Sequence, residues 1–209
     1  MIKSDCIVII PAKNEEKHLS EVIAGVWTHL APAEIVVIND HSTDQTPLLA
    51  LEGGATVLTH PLSLGYAATL QTGYKYAKSK GYDYLIQLDG DGQHLPSSLP
   101  ILYQALKNQE ADLIVGNRFL HSTPYHPSFP RRLGMKMFSG VVRLLTKVPL
   151  FDTTSGFQGM TKPLYEWYTE EHFPRDFPDA DILIRTHFQG FRIREVPAEM
   201  KIPPGNISM

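Results

Sequence analysis

Short apolar runs alternate with longer amphipathic segments through the first half of the chain. The runs are nearly continuous in apolar residues, as expected for parallel strands that are buried on both faces of a sheet. They predict strands at Cys6 to Ile10, Ile35 to Ile38, Ala55 to Leu58, Tyr84 to Leu88 and Leu113 to Val115. Helical spacing between them predicts helices at Glu16 to Leu30, Gln45 to Glu52, Tyr66 to Lys80 and Leu99 to Gln109.

This alternation predicts an α/β fold, with a single Rossmann-like, mostly parallel sheet and helices on both of its faces. The texture changes after Gly116. A His- and Pro-rich stretch from His121 to Pro130 predicts a loop, and a basic amphipathic segment follows from Arg131 to Lys147. We expect one domain over residues 1–209, made of two halves at 1–116 and 117–209, and the natural chain could continue beyond the irregular end of this sequence.

Polar clusters follow the first, second and fourth predicted strands. They are Pro11 to Glu16, Asn39 to Asp44 and the pair Asp89 and Asp91. In an open α/β sheet, ligands bind outside the carboxyl ends of the strands, so these clusters should meet at one edge. Two carboxylates one residue apart can share a hard divalent cation, and such a cation can carry the phosphates of a nucleotide. The pattern therefore predicts a nucleotide site.

Other interpretations of these clusters remain open. Asn14 or Asp44 could cap the helix that follows, and Asp40 could serve only a local turn. An EF-hand is excluded, because a calcium loop of that type would need Glu at the position of Pro100. A phosphatase that uses the first Asp of the pair as its nucleophile becomes improbable once the other clusters are considered.

Composition limits the partners. The 209 residues are 43% hydrophobic and 20% charged, with a net charge of −3 and a pI near 6.3, so nucleic acid is not an expected partner. The single cysteine, Cys6, lies in an apolar run and is expected to be buried and reduced, which fits a reducing compartment. No stretch approaches the roughly 20 apolar residues of a membrane span, so we expect a soluble chain.

Several motifs together resemble the large inverting glycosyltransferase family with the GT-A (nucleotide-diphospho-sugar transferase) fold. The chain is most similar to its branch of dolichyl-phosphate mannose synthases and polyprenyl-phosphate glycosyltransferases. Besides the three strand-end clusters, the residues that carry the resemblance are Gly65-Tyr66-Ala67-Ala68 with Gly73, Gln93-His94, Gly116-Asn117-Arg118-Phe119, Asp152 to Phe157, Glu195-Val196-Pro197 and Gly205 with Ser208-Met209.

The resemblance implies how the first half binds a nucleotide-diphosphate sugar. Pro11, Asn14, Glu15 and Asp40 would hold the nucleoside. Asp89 and Asp91 would bind the nucleotide and a metal ion. Gln93 would complete the coordination sphere of that metal. Mg²⁺ or Mn²⁺ suits such oxygen ligands and would offset the charge that develops on the departing diphosphate.

The resemblance also implies a polyprenyl phosphate as acceptor in the second half. Arg118 and Arg131, with Arg132 and Ser155, would meet the acceptor phosphate, which a guanidinium can bind through two parallel hydrogen bonds. Such enzymes work at the cytoplasmic face of a membrane, either through further helices or through a membrane-anchoring partner protein. Here Lys201 is the only cation in the tail after Glu195-Val196-Pro197, where the family commonly has several.

Other functions remain open on the same fold. A saccharide hydroxyl as acceptor would need a general base, which Asp179 or Asp181 could supply, although both could equally cap the predicted helix Ile182 to Gln189. A nucleotidyltransferase would need a Gly-rich phosphate loop after the first strand, and this chain lacks one. A noncatalytic nucleotide-binding protein is the last alternative, and the intact Glu15, Asp40, Asp89 and Asp91 argue against it.

Overall fold

A computed structural model describes residues 4–120, 139–140, 142–176, 178 and 180–201 of the chain. The strands found there are β1 (Cys6–Ala12), β2 (Glu34–Asn39), β3 (Thr56–Thr59), β4 (Tyr84–Gln87), β5 (Leu113–Asn117), β6 (Gln158–Thr161) and β7 (Ile193–Pro197). The helices are α1 (Leu19–His29), α2 (Thr46–Glu52), α3 (Tyr66–Lys80), α4 (Leu99–Lys107), α5 (Lys162–Trp167) and α6 (Ala180–Phe188), and a short 3₁₀ turn at Pro96–Ser98 precedes α4.

The strands form one sheet in the order β3-β2-β1-β4-β6-β5-β7. β6 runs antiparallel to β4 and β5, whereas the other neighbouring pairs are parallel. The predicted mostly parallel sheet with helices is confirmed. The pattern does not predict β6, β7 or α5. β6 has no apolar run, and β7 alternates apolar with charged residues, as an edge strand does. α5 has only six residues, too few to show a helical period.

Two apolar layers, one on each face of the sheet, hold the helices in place. In β1, Val8 and Ile10 face the layer built with α1, α2 and α4, and Ile7 and Ile9 face the layer built with α3, α5 and α6. All four side chains are fully buried, which explains the continuous apolar run. Each contributes about 1.5–3 kcal/mol by burial. At Gly73, an added Cβ would lie 2.9 Å from Ile9 Cδ1, so glycine lets α3 pack closely on the sheet.

The first helix begins later than its apolar spacing predicts. It starts at Leu19 rather than Glu16, because residues 15–18 form a turn in which the amides of His18 and Leu19 donate to the carbonyl of Glu15. The carboxylate of Glu16 instead accepts the amide of Gln45 at 3.2 Å. The loops after β1 and β2 are thus tied to each other, which brings two of the predicted strand-end clusters together.

The strand order determines where the polar loops lie. β2, β1 and β4 are neighbours and parallel, so their carboxyl ends share one edge of the sheet. β6 runs in the opposite direction, so the loop that precedes it, residues 152–157, reaches the same edge. The end of β5 adds Asn117 and Arg118 there. Both halves of the chain therefore contribute to a single site.

Candidate active site

A cavity of about 400 Å³ opens at the carboxyl ends of β1, β2 and β4. Its wall brings together Pro11, Glu15, Asp40, Asp89 and Asp91, five of the residues predicted to bind the nucleotide or the metal. The rest of the wall comprises Ala12, Lys13, Gly65, Tyr66, Thr69 and Gly90. Polar groups that converge in one cleft at this edge of an α/β sheet are typical of a nucleotide site.

Asp89 is a strongly perturbed carboxylate in this cavity. Burial raises its pKa to about 6, although a hydrogen bond from Tyr66 and the charge of Arg118 oppose the shift. The hydroxyl of Tyr66 donates to Asp89 Oδ1 at 2.8 Å. A carboxylate that is costly to ionise in the free protein gains most from a cation placed beside it.

Asp91 lies on the loop that follows β4 and is held by Gln93. Its Oδ1 accepts the backbone amide of Gln93 at 2.9 Å, and its Oδ2 accepts the side-chain amide at 2.7 Å. The carbonyl of Gln93 accepts the amide of Lys201 at 2.7 Å. Gly92 has φ +69°, a conformation that favours glycine in this tight turn. The chain after β7 therefore braces the loop.

The chemistry of these side chains fits a hard divalent cation. Among the described residues no cluster of three His, Cys, Asp or Glu side chains could enclose a metal. Mg²⁺ and similar ions, however, commonly bind through one or two carboxylates and complete their shell with water and substrate phosphates. Asp89 and Asp91 supply two carboxylates to one cavity, and Gln93 adds an amide beside Asp91.

Asp40 is buried and organises the loop that begins at His60. Its Oδ1 accepts His60 Nδ1 at 2.9 Å and the amide of Leu64 at 2.7 Å. Its Oδ2 accepts Ser63 Oγ at 2.7 Å and the amide of Gly65 at 3.1 Å. These hydrogen bonds outweigh burial and lower the pKa of Asp40 to about 2. Asp40 therefore shapes the cavity wall through residues 60–65, whether or not it also touches a ligand.

Asn14 and Glu15 belong to the turn after β1. Asn14 has φ 57°, and its side-chain oxygen accepts the amide of Thr43 at 2.9 Å, so it joins the first two polar loops and is not part of the cavity wall. The amide of Glu15 donates to Thr46 Oγ1 at 2.7 Å, which leaves its carboxylate in the cavity. Burial and the charge of Asp91 raise the pKa of Glu15.

Arg118 forms a buried ion pair. Its Nε donates to Asp152 Oδ2 at 2.7 Å and its Nη2 to Asp152 Oδ1 at 2.6 Å, with a further bond to Thr154 Oγ1 at 2.8 Å. Glu195 supports this arrangement from β7 by accepting the amides of Phe151 and Asp152, both at 2.7 Å. Arg118 thus fixes the loop before β6, and its predicted contact with an acceptor phosphate stays a prediction.

A second cavity of about 230 Å³ adjoins the first and shares Tyr66 and Asp89 with it. Ser155 lines it and is buried, with Oγ accepting the amide of Phe157 at 3.3 Å. Aromatic rings form much of the deeper wall, which includes Tyr74, Tyr168 and Phe173. The remaining predicted acceptor residues, Arg131 and Arg132, and the alternative base Asp179 lie outside the described residues.

Sequence reasoning missed Tyr66 and Gln87 as site residues. The motif at Gly65 includes Tyr66 without marking its hydroxyl as a site group, and Gln87 falls inside the predicted strand Tyr84 to Leu88. A buried polar residue inside a strand is the signal that could have found Gln87. Lys201, the predicted tail cation, pairs with Glu21 on α1 at 2.9 Å. The other alternative base, Asp181, lies exposed in the first turn of α6 and outside both cavities.

The family model Glycosyl transferase family 2 matches residues 7–168, and the chain belongs to this family. Curated relatives include the polyprenol monophosphomannose synthase of Mycolicibacterium smegmatis, 29% identical over 77% of this chain and 63% of that protein. The undecaprenyl-phosphate mannosyltransferase of Micrococcus luteus is 26% identical over 91% of this chain and 81% of that protein. This chain thus spans less than two thirds of the mycobacterial synthase.

Solved structures share the fold. A mannosyltransferase from Pyrobaculum calidifontis in complex with GDP-Man and Mn²⁺ has a TM-score of 0.70 and 18% identity, over 99% of this chain and 59% of its own. A second solved structure is glucosyl-3-phosphoglycerate synthase from Mycobacterium tuberculosis in complex with Mn²⁺, UDP and phosphoglyceric acid. It has a TM-score of 0.71 and 18% identity, over 95% of this chain and 71% of its own. The predicted GT-A fold is confirmed.

Proposed function

We propose that the protein transfers a hexosyl group, with mannose as the first candidate, from a GDP- or UDP-linked donor to the phosphate of a polyprenyl lipid. The observation that carries this proposal is the single cavity in which Pro11, Glu15, Asp40, Asp89 and Asp91 meet. The similarity to enzymes named for polyprenol and undecaprenyl phosphate supports the acceptor class.

We further propose that Mg²⁺ or Mn²⁺ is required. Asp89 and Asp91 would hold the cation, with Gln93 as an additional ligand, and the cation would supply charge stabilisation for the departing diphosphate. Glu15 and the loop organised by Asp40 would place the nucleoside against Pro11, and Asn14 would act by joining the loops after β1 and β2. The residues of the chain would thus bind and orient the donor.

A donor and acceptor screen tests the proposal. GDP-mannose, UDP-glucose and UDP-N-acetylglucosamine are each incubated with a short polyprenyl phosphate, a free saccharide or phosphoglyceric acid, with Mn²⁺ or with EDTA. We expect nucleoside diphosphate release and a glycosylated lipid only with the prenyl phosphate and metal. Asp91→Ala should lower the rate about a hundredfold or more, since it removes a main electrostatic group. Transfer to the free saccharide or to phosphoglyceric acid alone would refute the lipid acceptor.

Peripheral attachment to the cytoplasmic face of a membrane is part of the proposal. In the described residues no helix is long and apolar enough to cross a bilayer. The acceptor half carries an exposed apolar surface. Leu144 is 79% exposed there, and Leu145 and Phe151 are about half exposed. The guanidinium of Arg143 lies 4.7 Å from the ring centre of Phe151. Apolar side chains with nearby cations suit an anionic lipid surface.

This surface adjoins the predicted acceptor site, because Phe151 precedes Asp152, the partner of Arg118. Leu144→Glu should reduce flotation with anionic vesicles severalfold and leave nucleotide binding unchanged. Leu51→Glu, at a similarly exposed leucine of α2, is the matched control and should float like the wild type. Equal loss in both variants, or in neither, would contradict this part of the proposal. If a partner protein anchors the enzyme, membranes that contain this partner should still bind the Leu144→Glu variant.

A further inference from the structure

A series of hydrogen bonds along the wall of the second cavity ends at Asp89. The hydroxyl of Tyr74, which is fully buried, donates to Gln87 Oε1 at 2.7 Å. Gln87 Nε2 donates to the carbonyl oxygen of Gly156 at 2.9 Å and to Tyr66 Oη at 3.1 Å. The hydroxyl of Tyr66 then donates to Asp89 Oδ1 at 2.8 Å. This series of hydrogen bonds thus connects the core of α3 with the first carboxylate of the proposed metal site.

The direction of these bonds follows from their chemistry. A backbone carbonyl can only accept a hydrogen bond, so Gln87 must turn its amide nitrogen towards Gly156 and its amide oxygen towards Tyr74. The second N–H of Gln87 then points at the oxygen of Tyr66. Since that oxygen already accepts one proton, its own proton is left to point at Asp89. Every donor in the series has an acceptor only in this arrangement.

The second oxygen of the Asp89 carboxylate abuts backbone. A Cβ added at Gly156 would collide with Asp89 Oδ2 and come to 3.0 Å from Tyr66 Oη. One oxygen of the carboxylate is therefore bonded to a hydroxyl and the other is packed against a glycine, with little room to turn. A ligand that needs this orientation does not have to fix it on binding, which saves the ordering cost of a free side chain.

We propose that Tyr66 is a positioning residue, which holds the carboxylate of Asp89 in the orientation that the metal–nucleotide complex requires. The inference rests on the proposed function. Tyr66 is the first residue of α3 and its ring lines both cavities, so the contribution of the hydroxyl must be separated from that of the ring. Tyr66→Phe makes that separation, because it removes only the hydroxyl.

The matched control is Tyr76→Phe. Tyr76 lies on the same helix, and its hydroxyl donates to a carboxylate at the same distance, Glu34 Oε1 at 2.8 Å, away from both cavities. Binding of GDP and UDP is measured by calorimetry with Mn²⁺ and with EDTA. For Tyr66→Phe we expect the Mn²⁺-dependent affinity to fall about tenfold and the affinity in EDTA to stay within about twofold of wild type. Tyr76→Phe should change neither.

A second variant keeps the inference testable if Tyr66→Phe does not fold. Gln87→Met retains the hydroxyl of Tyr66 but removes the donor that sets its direction, so the Mn²⁺-dependent affinity should fall by about threefold, less than in Tyr66→Phe. The role of Tyr66 alone would be overturned by wild-type Mn²⁺-dependent affinity in Tyr66→Phe, by the same result in Gln87→Met if Tyr66→Phe does not fold, or by an equal loss in Tyr76→Phe. A wild-type protein without metal-dependent nucleotide binding would overturn the proposed function as well.

Discussion

Removing the charge of Asp89 should stabilise the ligand-free protein, although it disables the proposed metal site. Burial raises the pKa of Asp89 to about 6, from an ordinary value of 3.8. Below about pH 3 the carboxyl group is protonated in both the folded and the unfolded chain, so its burial costs nothing. As the pH rises from about 3 to 6, the unfolded chain releases its proton first, and the free energy of unfolding falls. The full penalty is present above about pH 7.

The size of the effect follows from the shift. About two pKa units correspond to about 3 kcal/mol, and partial solvent access to Asp89 reduces this to about 2 kcal/mol. In Asp89→Asn the side-chain carbonyl can still accept the hydroxyl of Tyr66, so the hydrogen bond is kept. For a domain of this size, about 2 kcal/mol raises the melting temperature by about 4–8 °C.

The assay is thermal and urea unfolding in EDTA, without nucleotide, at pH 8 and at pH 4.5. Asp89→Asn should be more stable than wild type at pH 8 and should keep only about a third of that gain at pH 4.5. Asp112→Asn is the control, because Asp112 accepts the amide of Arg192 at 2.8 Å and pairs with its guanidinium away from the cavities. It should show no gain at either pH. If Asp89→Asn melts at or below the wild-type temperature at pH 8, burial does not govern this carboxylate.

Two further variants test the loops around the site. Arg118→Ala leaves Asp152 buried without its partner and should cost about 3–5 kcal/mol in urea unfolding, whereas Arg192→Ala breaks an exposed pair and should cost under about 1 kcal/mol; equal losses would contradict the buried pair. Asp40→Asn should weaken nucleotide binding by about 1–3 kcal/mol in calorimetry, since two loop donors lose their acceptor. Because the pKa of Asp40 is lowered to about 2, its stabilising contribution should persist above about pH 4 and vanish as the pH falls through 2, and Asp40→Asn should lack this acid transition.

The gathering of Glu15, Asp40, Asp89 and Asp91 could be predicted because it follows from the parallel direction of the strands. Buried parallel strands are readable as apolar runs, and their carboxyl ends must share an edge. No side-chain contact was needed for this step. The start of α1 could not be predicted as well. The turn at residues 15–18 depends on hydrogen bonds to the loop after β2, which the local pattern does not encode.

Pairings between distant side chains could not be predicted. Nothing in the spacing indicates that Arg118 meets Asp152, or that Asp40 accepts four donors from residues 60–65. The same holds for Tyr66 and Asp89, which meet only because α3 packs on β1 and β4 ends beside its first turn. The residue types indicate which groups could bind a nucleotide and a metal. The contacts between distant side chains determine which carboxylates are already engaged within the protein.

The position of Asp89 links the donor to the class of acceptor. Asp89 lines both cavities, so the diphosphate of the proposed donor, bound beside Asp89 in the first cavity, would lie next to the second cavity. Held by Tyr66 and committed to the proposed cation, Asp89 cannot also accept a proton from an acceptor. A phosphate acceptor is already ionised and needs no such base, whereas a hydroxyl acceptor does. Asp181 is exposed and lies outside both cavities, so using it as that base would require a rearrangement of the first turn of α6. The geometry of the described residues therefore favours an anionic acceptor.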